Sequence, residues 1–209
     1  IYYASSKGLV VRIRLQEHDD EFDDNGGLFE ERKLYIREMV ARFGHNNIVW
    51  DLGEGLTVAH VAQRSAYLRN LDPYQNTPIT VRASSDRVLK DLLAVSTIDG
   101  ISLHTDKYEN IYDATVMWSG SNKVITSDQQ GDLNSGVLPD MDDMTRDNVR
   151  QEILWGNLMA GGGGVQYYFG TSFTESHLTL QDFRSRDTLW DHSKYALDFF
   201  NRLPATMKV

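Results

Sequence analysis

The chain has 209 residues, of which 41% are hydrophobic and 24% charged, and its formal net charge is −9. This is the composition of an ordinary globular protein, and the length permits one large domain or two small ones. No segment approaches the roughly 20 apolar residues of a membrane span, and a uniformly acidic surface repels nucleic-acid phosphates. Because there is no cysteine, disulfides, thiolate catalysis and cysteine-ligated zinc are excluded.

The first third of the chain predicts two strands and two helices. Apolar and basic residues alternate over 8–17, which indicates a strand. A helix is predicted over 28–44, a short buried strand with a polar end over 47–55, and a helix over 57–73 that stops at Asp72-Pro73. The chain starts at Ile1 and enters a strand-like segment almost at once, so we expect its true N-terminus to be missing.

The same alternation continues to the end of the chain. Strands are predicted over 79–83, 100–106, 123–129 and 164–170, and helices over 86–96, 109–120, 145–161 and near 181–202. Thr145 is the predicted N-cap of its helix. Six short apolar strands separated by helices imply parallel pairing, because parallel neighbours need crossover connections.

Two architectures fit this pattern, an open doubly wound sheet and a (β/α)8 barrel. The glycine-rich nucleotide motifs of doubly wound sheets are absent. Polar residues instead follow successive strands, and in a barrel these ends meet at one catalytic face. We therefore predict an α/β fold of the (β/α)8 TIM-barrel type, lacking the first two βα units, as a single N-terminally incomplete domain over 1–209. The strand-end residues are Glu17, His18, Asp51, Glu54, Arg82, His104, Asp106, Asp128, Gln129, Tyr167 and Tyr168.

Two carboxylates are the main catalytic candidates. Glu54 lies just past the strand that ends in Ile48-Val49-Trp50, where partial desolvation by the tryptophan could make it a proton donor; the alternative is a loop glutamate in water. Asp128 could be a nucleophile, a base or a ligand-orienting group. Its alternative is an Asx turn before Gly131.

The histidines do not indicate a metal site. His18 and His104 lie at strand ends, where each could bind sugar hydroxyls or orient a carboxylate, although a structural role is the alternative for both. There is no His-Glu-x-x-His pair and no tight spacing of metal ligands. We therefore expect neither a metal nor another cofactor.

Three conspicuous features are predicted to be structural. The acidic segment 17–27 fails the calcium-loop pattern because Arg32 stands where a bidentate glutamate is required. The run AGGGGV (160–165) follows a helix and precedes a strand, so we expect a tight, closely packed turn on the face opposite the chemistry. Trp155 and Trp190, on predicted helices, are expected to pack in the core.

Several longer runs resemble one group of proteins. YIREMVARFGHNNIVWDLGEG, YLRNLDPY, LWGNLMAGGGGVQYYFG and DFRSRDTLWDHSKYALDFF resemble bacterial glycoside-hydrolase-like (β/α)8 barrels of the collagen-binding and unknown-function groups. These are distant relatives of apiosidase-type enzymes and other retaining glycosidases, and the resemblance covers most of residues 1–202. It implies a polysaccharide or oligosaccharide substrate, hydrolysis of O-glycosyl bonds, and a secreted or periplasmic location.

The resemblance also implies roles for individual residues. An acid/base glutamate ends strand four of such barrels, which corresponds to Glu54, and a nucleophilic glutamate ends strand seven, where this chain has Gln129. Gln166 likewise stands where relatives often carry glutamate. The two carboxyl groups lie about 5–5.5 Å apart in retaining enzymes and about 6.5–9.5 Å apart in inverting ones. Glutamine is neutral and cannot act as the nucleophile.

Three hypotheses follow from Gln129. The chain derives from an active glycosidase and is inactivated at this position, or Asp128 has taken over as nucleophile or base, or the protein is a non-catalytic glycan-binding barrel. A protein-interaction module without a glycan site is a further alternative. Gln166 and Tyr167 are predicted substrate contacts, and Arg82, with Lys107 and His104, is predicted to hold an acidic or sulfated sugar. The oligomeric state is not readable from the sequence.

Overall fold

The computed structural model describes residues 1–16, 27–72, 76–83, 86–104, 110–128, 134, 136–145, 147–171 and 183–204, with the backbone alone at 86, 87, 104 and 183. The chain divides into two compact units, Ile1–Leu103 with Ser121–Val124, and His104–Gly120 with Ile125–Val209. A single domain over 1–209 stays a prediction.

Helices and strands alternate along both units. In chain order they are α1 (Tyr2–Ser6), β1 (Val11–Arg14), α2 (Glu30–Phe43), β2 (Ile48–Asp51), α3 (Val58–Leu71), β3 (Ile79–Ala83), α4 (Asp86–Leu92), β4 (Gly100–His104), α5 (Ile111–Ser119), β5 (Val124–Asp128), a π-helix (Asn148–Trp155), α6 (Gly156–Met159), β6 (Gly164–Gln166), a 3₁₀ turn (Phe183–Arg186) and α7 (Asp187–Arg202). α1 was not predicted. The boundary between the units falls at the end of β4 and the start of β5.

The strands are all parallel and follow chain order. In the first unit β1 pairs with β2, β2 with β3, and β3 with β4. In the second unit β5 pairs with β6. The α/β class is therefore confirmed, and the parallel pairing predicted from the alternating pattern is confirmed within each unit.

The strands of the first unit have one polar and one apolar face. Arg14 is in register with Asp51, Asp51 with Thr80, and Arg82 with Ser102. Since paired residues share a face and successive side chains alternate between faces, the polar face also includes Arg12. The apolar face consists of Val11, Ile13, Ile48, Trp50, Ile79, Val81, Ala83, Ile101 and Leu103. Helix α4 contacts β3, and α2, α3 and α4 contact one another in sequence.

A buried carboxylate joins β1 to β2 on the polar face. Asp51 is 0% exposed, and its Oδ2 lies 2.9 Å from Arg12 Nη2 and 3.0 Å from Arg14 Nε. Its Oδ1 accepts a hydrogen bond from the Gly53 amide at 3.0 Å. Arg12 and Arg14, the two basic residues of β1, therefore share an anionic partner on the neighbouring strand.

Replacing Asp51 by asparagine should lower the free energy of unfolding by about 2–4 kcal/mol, because two arginines then lose their buried counter-ion. Urea unfolding followed by circular dichroism measures the change. The control is Glu38→Gln, which breaks an exposed pair with Arg42 and should change stability by less than about 0.5 kcal/mol. Equal losses in the two variants would contradict the role given to Asp51.

The turn after β2 requires glycine at position 53. Gly53 has φ +95°, in the left-handed region, and a Cβ there would overlap the backbone carbonyl oxygen of Gln16. Both the conformation and the close approach exclude other residues. The turn thereby fixes the direction in which the chain leaves β2.

A series of three glycine-to-alanine substitutions separates these two effects. Gly53→Ala should destabilise the protein by at least about 2 kcal/mol, through backbone strain plus steric overlap. Gly8 has φ +77° with open space around it, so Gly8→Ala should cost about 1 kcal/mol from strain alone. Gly120 has φ −73° and open space, and Gly120→Ala should stay within about 0.5 kcal/mol. Urea unfolding that finds Gly53→Ala no worse than Gly8→Ala would refute the predicted overlap.

Asn157 organises the glycine-rich turn of the second unit. Its buried side chain donates to Thr115 Oγ1 at 3.2 Å and to the Ile125 carbonyl at 3.4 Å, and it accepts from the Gly164 amide at 2.9 Å. A Cβ at Gly162 would overlap the Asn157 side chain. The tight, closely packed turn predicted for AGGGGV is confirmed, with the asparagine as the group against which the glycines pack.

Asn157→Ala should destabilise the protein by about 2–3 kcal/mol, because the groups bonded by the amide lose partners in a site closed to water. Asn122 is exposed, and Asn122→Ala is the matched control, with an expected change below about 0.5 kcal/mol. Thermal and urea unfolding measure both variants. A loss at position 157 no larger than that at position 122 would rule out this role.

The helix before the glycine turn carries an ion pair in its first described turn. Asp147 already has helical backbone angles, and the π-helix starts at Asn148. Residue 146 lies outside the described residues, so Thr145 as N-cap stays a prediction. Asp147 Oδ1 accepts a hydrogen bond from Arg150 Nη2 at 2.6 Å. This bond holds the pKa of Asp147 below its usual value.

Candidate functional site

Glu54, which follows β2, forms an ion pair with Arg82 near the carboxyl end of β3. The backbone amide of Arg82 also donates to the Gly53 carbonyl at 3.1 Å. Of the predicted site residues in the first unit, the structure therefore brings these two together. The aromatic wall expected beside Glu54 is not provided by Trp50, because Trp50 is buried on the apolar face whereas Glu54 pairs with a polar-face residue.

Asp128 and Gln166 are neighbours in the second unit. Asp128 is the last residue of β5, is fully buried, and is in register with Gln166, the last residue of β6. Their side chains therefore share one face of this strand pair. Val165, which alternates with Gln166, packs against the hydrophobic core on the other face. The catalytic and binding roles of Asp128 and Gln166 stay predictions.

Tyr167 contacts helix α7. Its hydroxyl lies 3.2 Å from Ser193 Oγ, and its ring meets Trp190 edge-to-face with centroids 6.3 Å apart. It lines a cavity of about 400 Å³ whose walls are mostly apolar. The other lining residues are Leu154, Leu158, Gly163, Gly164, Val165, Trp190, Ser193, Ala196, Leu197 and Phe200. These contacts are on the helix side of β6, and a substrate contact by Tyr167 stays a prediction.

Both tryptophans predicted to pack in the core do lie among apolar partners. Trp190 packs against the cluster formed by Ile111, Val137, Val149, Ile153, Phe169 and Leu189. Trp155 lies edge-to-face with Phe199 at 5.4 Å and stacks on Phe200 at 6.1 Å. These aromatic contacts attach α7 to the π-helix.

Other predicted site residues fall outside the described part of the chain. His18, Lys107 and Gln129 lie outside the described residues, as does most of the acidic segment 17–27. His104 ends β4, at the strand end where the sequence places it, and only its backbone is described. The roles proposed for these residues therefore stay predictions.

The structure contains a buried polar cluster just after β1 that the sequence did not predict. The side-chain oxygen of Gln16 accepts hydrogen bonds from the guanidinium groups of Arg32 on α2 and Arg64 on α3, and all three residues are buried. The helical spacing indicates that Arg32 is buried, because it lies four residues before the buried Ile36 and therefore on the same side of α2. Arg64 lies three residues after Val61 on the buried side of α3. Their charge suggests that both arginines are exposed to solvent, whereas their positions in the helical repeat predict that both are buried.

The described residues contain neither a cluster of metal ligands nor a membrane-spanning helix. Among these residues, no three histidine, aspartate or glutamate side chains come together as a metal site. None of the helices described is both long enough and apolar enough to cross a membrane.

The chain was compared with models of known protein families, with curated proteins and with solved structures. None of the three comparisons gave a match. The resemblance to glycoside-hydrolase-like barrels therefore stays a prediction, and the fold and the contacts above are the structural support for any function.

Proposed function

We propose that this protein is glycoside-hydrolase-like and acts on the glycosidic bonds of a polysaccharide or oligosaccharide. The main supporting observation is that a carboxylate follows or ends a parallel strand in each unit, Glu54 after β2 and Asp128 at the end of β5. The carboxyl ends of parallel strands carry the active sites of (β/α) barrels. Glycoside hydrolysis commonly uses two carboxyl groups.

The proposal includes a (β/α)8-type barrel, to which this chain contributes six strands. The polar face of β1–β4 supports it. In a doubly wound sheet helices cover both faces, so both faces should be apolar. Here Arg12, Arg14, Asp51 and Arg82 share one face, which favours an interior lined by strands.

In this proposal Glu54 protonates the glycosidic oxygen and later takes a proton from water. The second group attacks the anomeric carbon or activates a water molecule. Gln129 cannot perform that step because an amide carries no negative charge. Asp128, the last residue of β5 and the neighbour of position 129, is the carboxylate proposed to replace it. A chain that binds glycan without cleaving it is the alternative.

Glycan release by four proteins tests the proposal: the unmodified chain, Glu54→Gln, Asp128→Asn and Gln129→Glu. If Asp128 performs the chemistry, the unmodified chain is active on some member of a polysaccharide panel. Glu54→Gln and Asp128→Asn then lose activity by about 10²–10⁴-fold, the usual contribution of a positioned acid or base. Activity gained only in Gln129→Glu identifies an inactivated glycosidase instead.

Asp142→Asn is the control, since Asp142 is exposed and should leave glycan release unchanged. Binding to the same panel, measured by affinity electrophoresis, separates the alternatives. Binding without turnover in all four proteins favours a glycan-binding barrel. No release of any glycan by any of the four proteins would contradict the proposal, and the absence of binding as well would leave the protein-interaction module.

A further inference from the structure

The backbone that carries Glu54 is held from two strands. The Gly53 amide donates to Asp51 Oδ1 on β2 at 3.0 Å. The Gly53 carbonyl accepts from the Arg82 amide on β3 at 3.1 Å. Because the amide and the carbonyl of Gly53 are both hydrogen-bonded to groups of these strands, its backbone is held at φ +95°, and Glu54 leaves the turn in a fixed direction.

The side chain of Glu54 is held as well. Its carboxylate pairs with the Arg82 guanidinium, whose side chain is 4% exposed, whereas that of Glu54 is 25% exposed. Glu54 is therefore the more accessible of the two side chains to a ligand that approaches from solvent.

We propose that Arg82 is a positioning residue that orients the Glu54 carboxylate and does not itself contact substrate. This inference deepens the proposed function and rests on it, since the orientation of Glu54 matters for catalysis only if Glu54 takes part in the reaction. It replaces the sugar-binding role predicted for Arg82 from the sequence. Asp51, Gly53 and Arg82 then together hold one carboxylate, that of Glu54.

The identity of the residue matters for this role. The guanidinium group of arginine is planar and presents several N–H donors in a fixed fork, which fixes the orientation of a carboxylate as well as its distance. Lysine supplies the same charge as a point with rotatable donors. A lysine at position 82 should therefore keep much of the attraction and lose much of the orientation.

Chemical labelling of carboxylates tests the pairing without any glycan. The folded protein is treated with a water-soluble carbodiimide and glycine ethyl ester, and the labelling rate at each carboxylate is read by peptide mass spectrometry. Arg82→Met should raise the rate at Glu54 by about tenfold, which corresponds to a lost protection of ~1.4 kcal/mol. Arg82→Lys should give an intermediate rate. An unchanged rate at Glu54 in both variants would overturn the proposal.

An exposed pair on α2 is the matched control. Glu38 and Arg42 also form an ion pair, with 55% and 68% of their side chains exposed. Arg42→Met should change the labelling rate at Glu38 by less than about twofold, because exposed pairs contribute little. If Arg82→Met fails to fold, as judged by circular dichroism, Arg82→Lys retains the buried charge and decides the outcome by its rate at Glu54.

Kinetics separate this inference from the proposed function. In whichever parent releases glycan, the unmodified chain or Gln129→Glu, Arg82→Lys should lower kcat by about tenfold or more with KM unchanged, as for misplaced catalytic groups. A raised KM with unchanged kcat would mean that Arg82 contacts substrate, and would overturn the inference. If no parent releases glycan, the proposed function fails, and the labelling rates alone decide whether Arg82 orients Glu54.

Discussion

The carboxylate of Asp51 lies wholly out of water at the end of β2, where an unpaired charge would not be tolerated. Two arginines of β1 and the amide of Gly53 satisfy it. These partners come from the preceding strand and from the following turn, so one side chain sets the register of β1 on β2 and the path of the chain beyond β2. Such a charge specifies geometry more than it adds net stability, because its desolvation offsets much of the attraction.

In the second unit a neutral amide, the side chain of Asn157, joins neighbouring elements in a comparable way. Asn157 bonds α5, the start of β5 and the start of β6 through one side chain. An amide has both donors and acceptors, so it can join groups of opposite polarity without a counter-ion. The aromatic contacts of Trp155 and Trp190 then attach α7 to the same framework. In both units one buried polar side chain joins the start or end of a strand to neighbouring elements.

The sequence predicted the order and type of the main elements because each strand or helix has a clear period and ends at a polar or glycine-rich segment. It also predicted the parallel pairing and the tight turn at AGGGGV. Partners distant in the chain could not be predicted. Nothing local to Glu54 indicates Arg82, which is 28 residues away, and nothing around Gly162 indicates that Asn157 fills the space beside it. Trp50 is adjacent to Asp51 in sequence but lies on the opposite face, so proximity along the chain suggested the wrong neighbour for Glu54.

The bonding around Gly53 also limits how this fold can diversify. A turn whose amide and carbonyl are both committed to strands, and which tolerates no side chain, cannot lengthen without releasing Asp51 and Arg82 together. Changes in ligand preference would then have to arise in other connections. The segment 129–147 between β5 and the π-helix is far longer than the turn after β2. Relatives of this protein should therefore vary in that connection while the turn at Gly53 keeps its length.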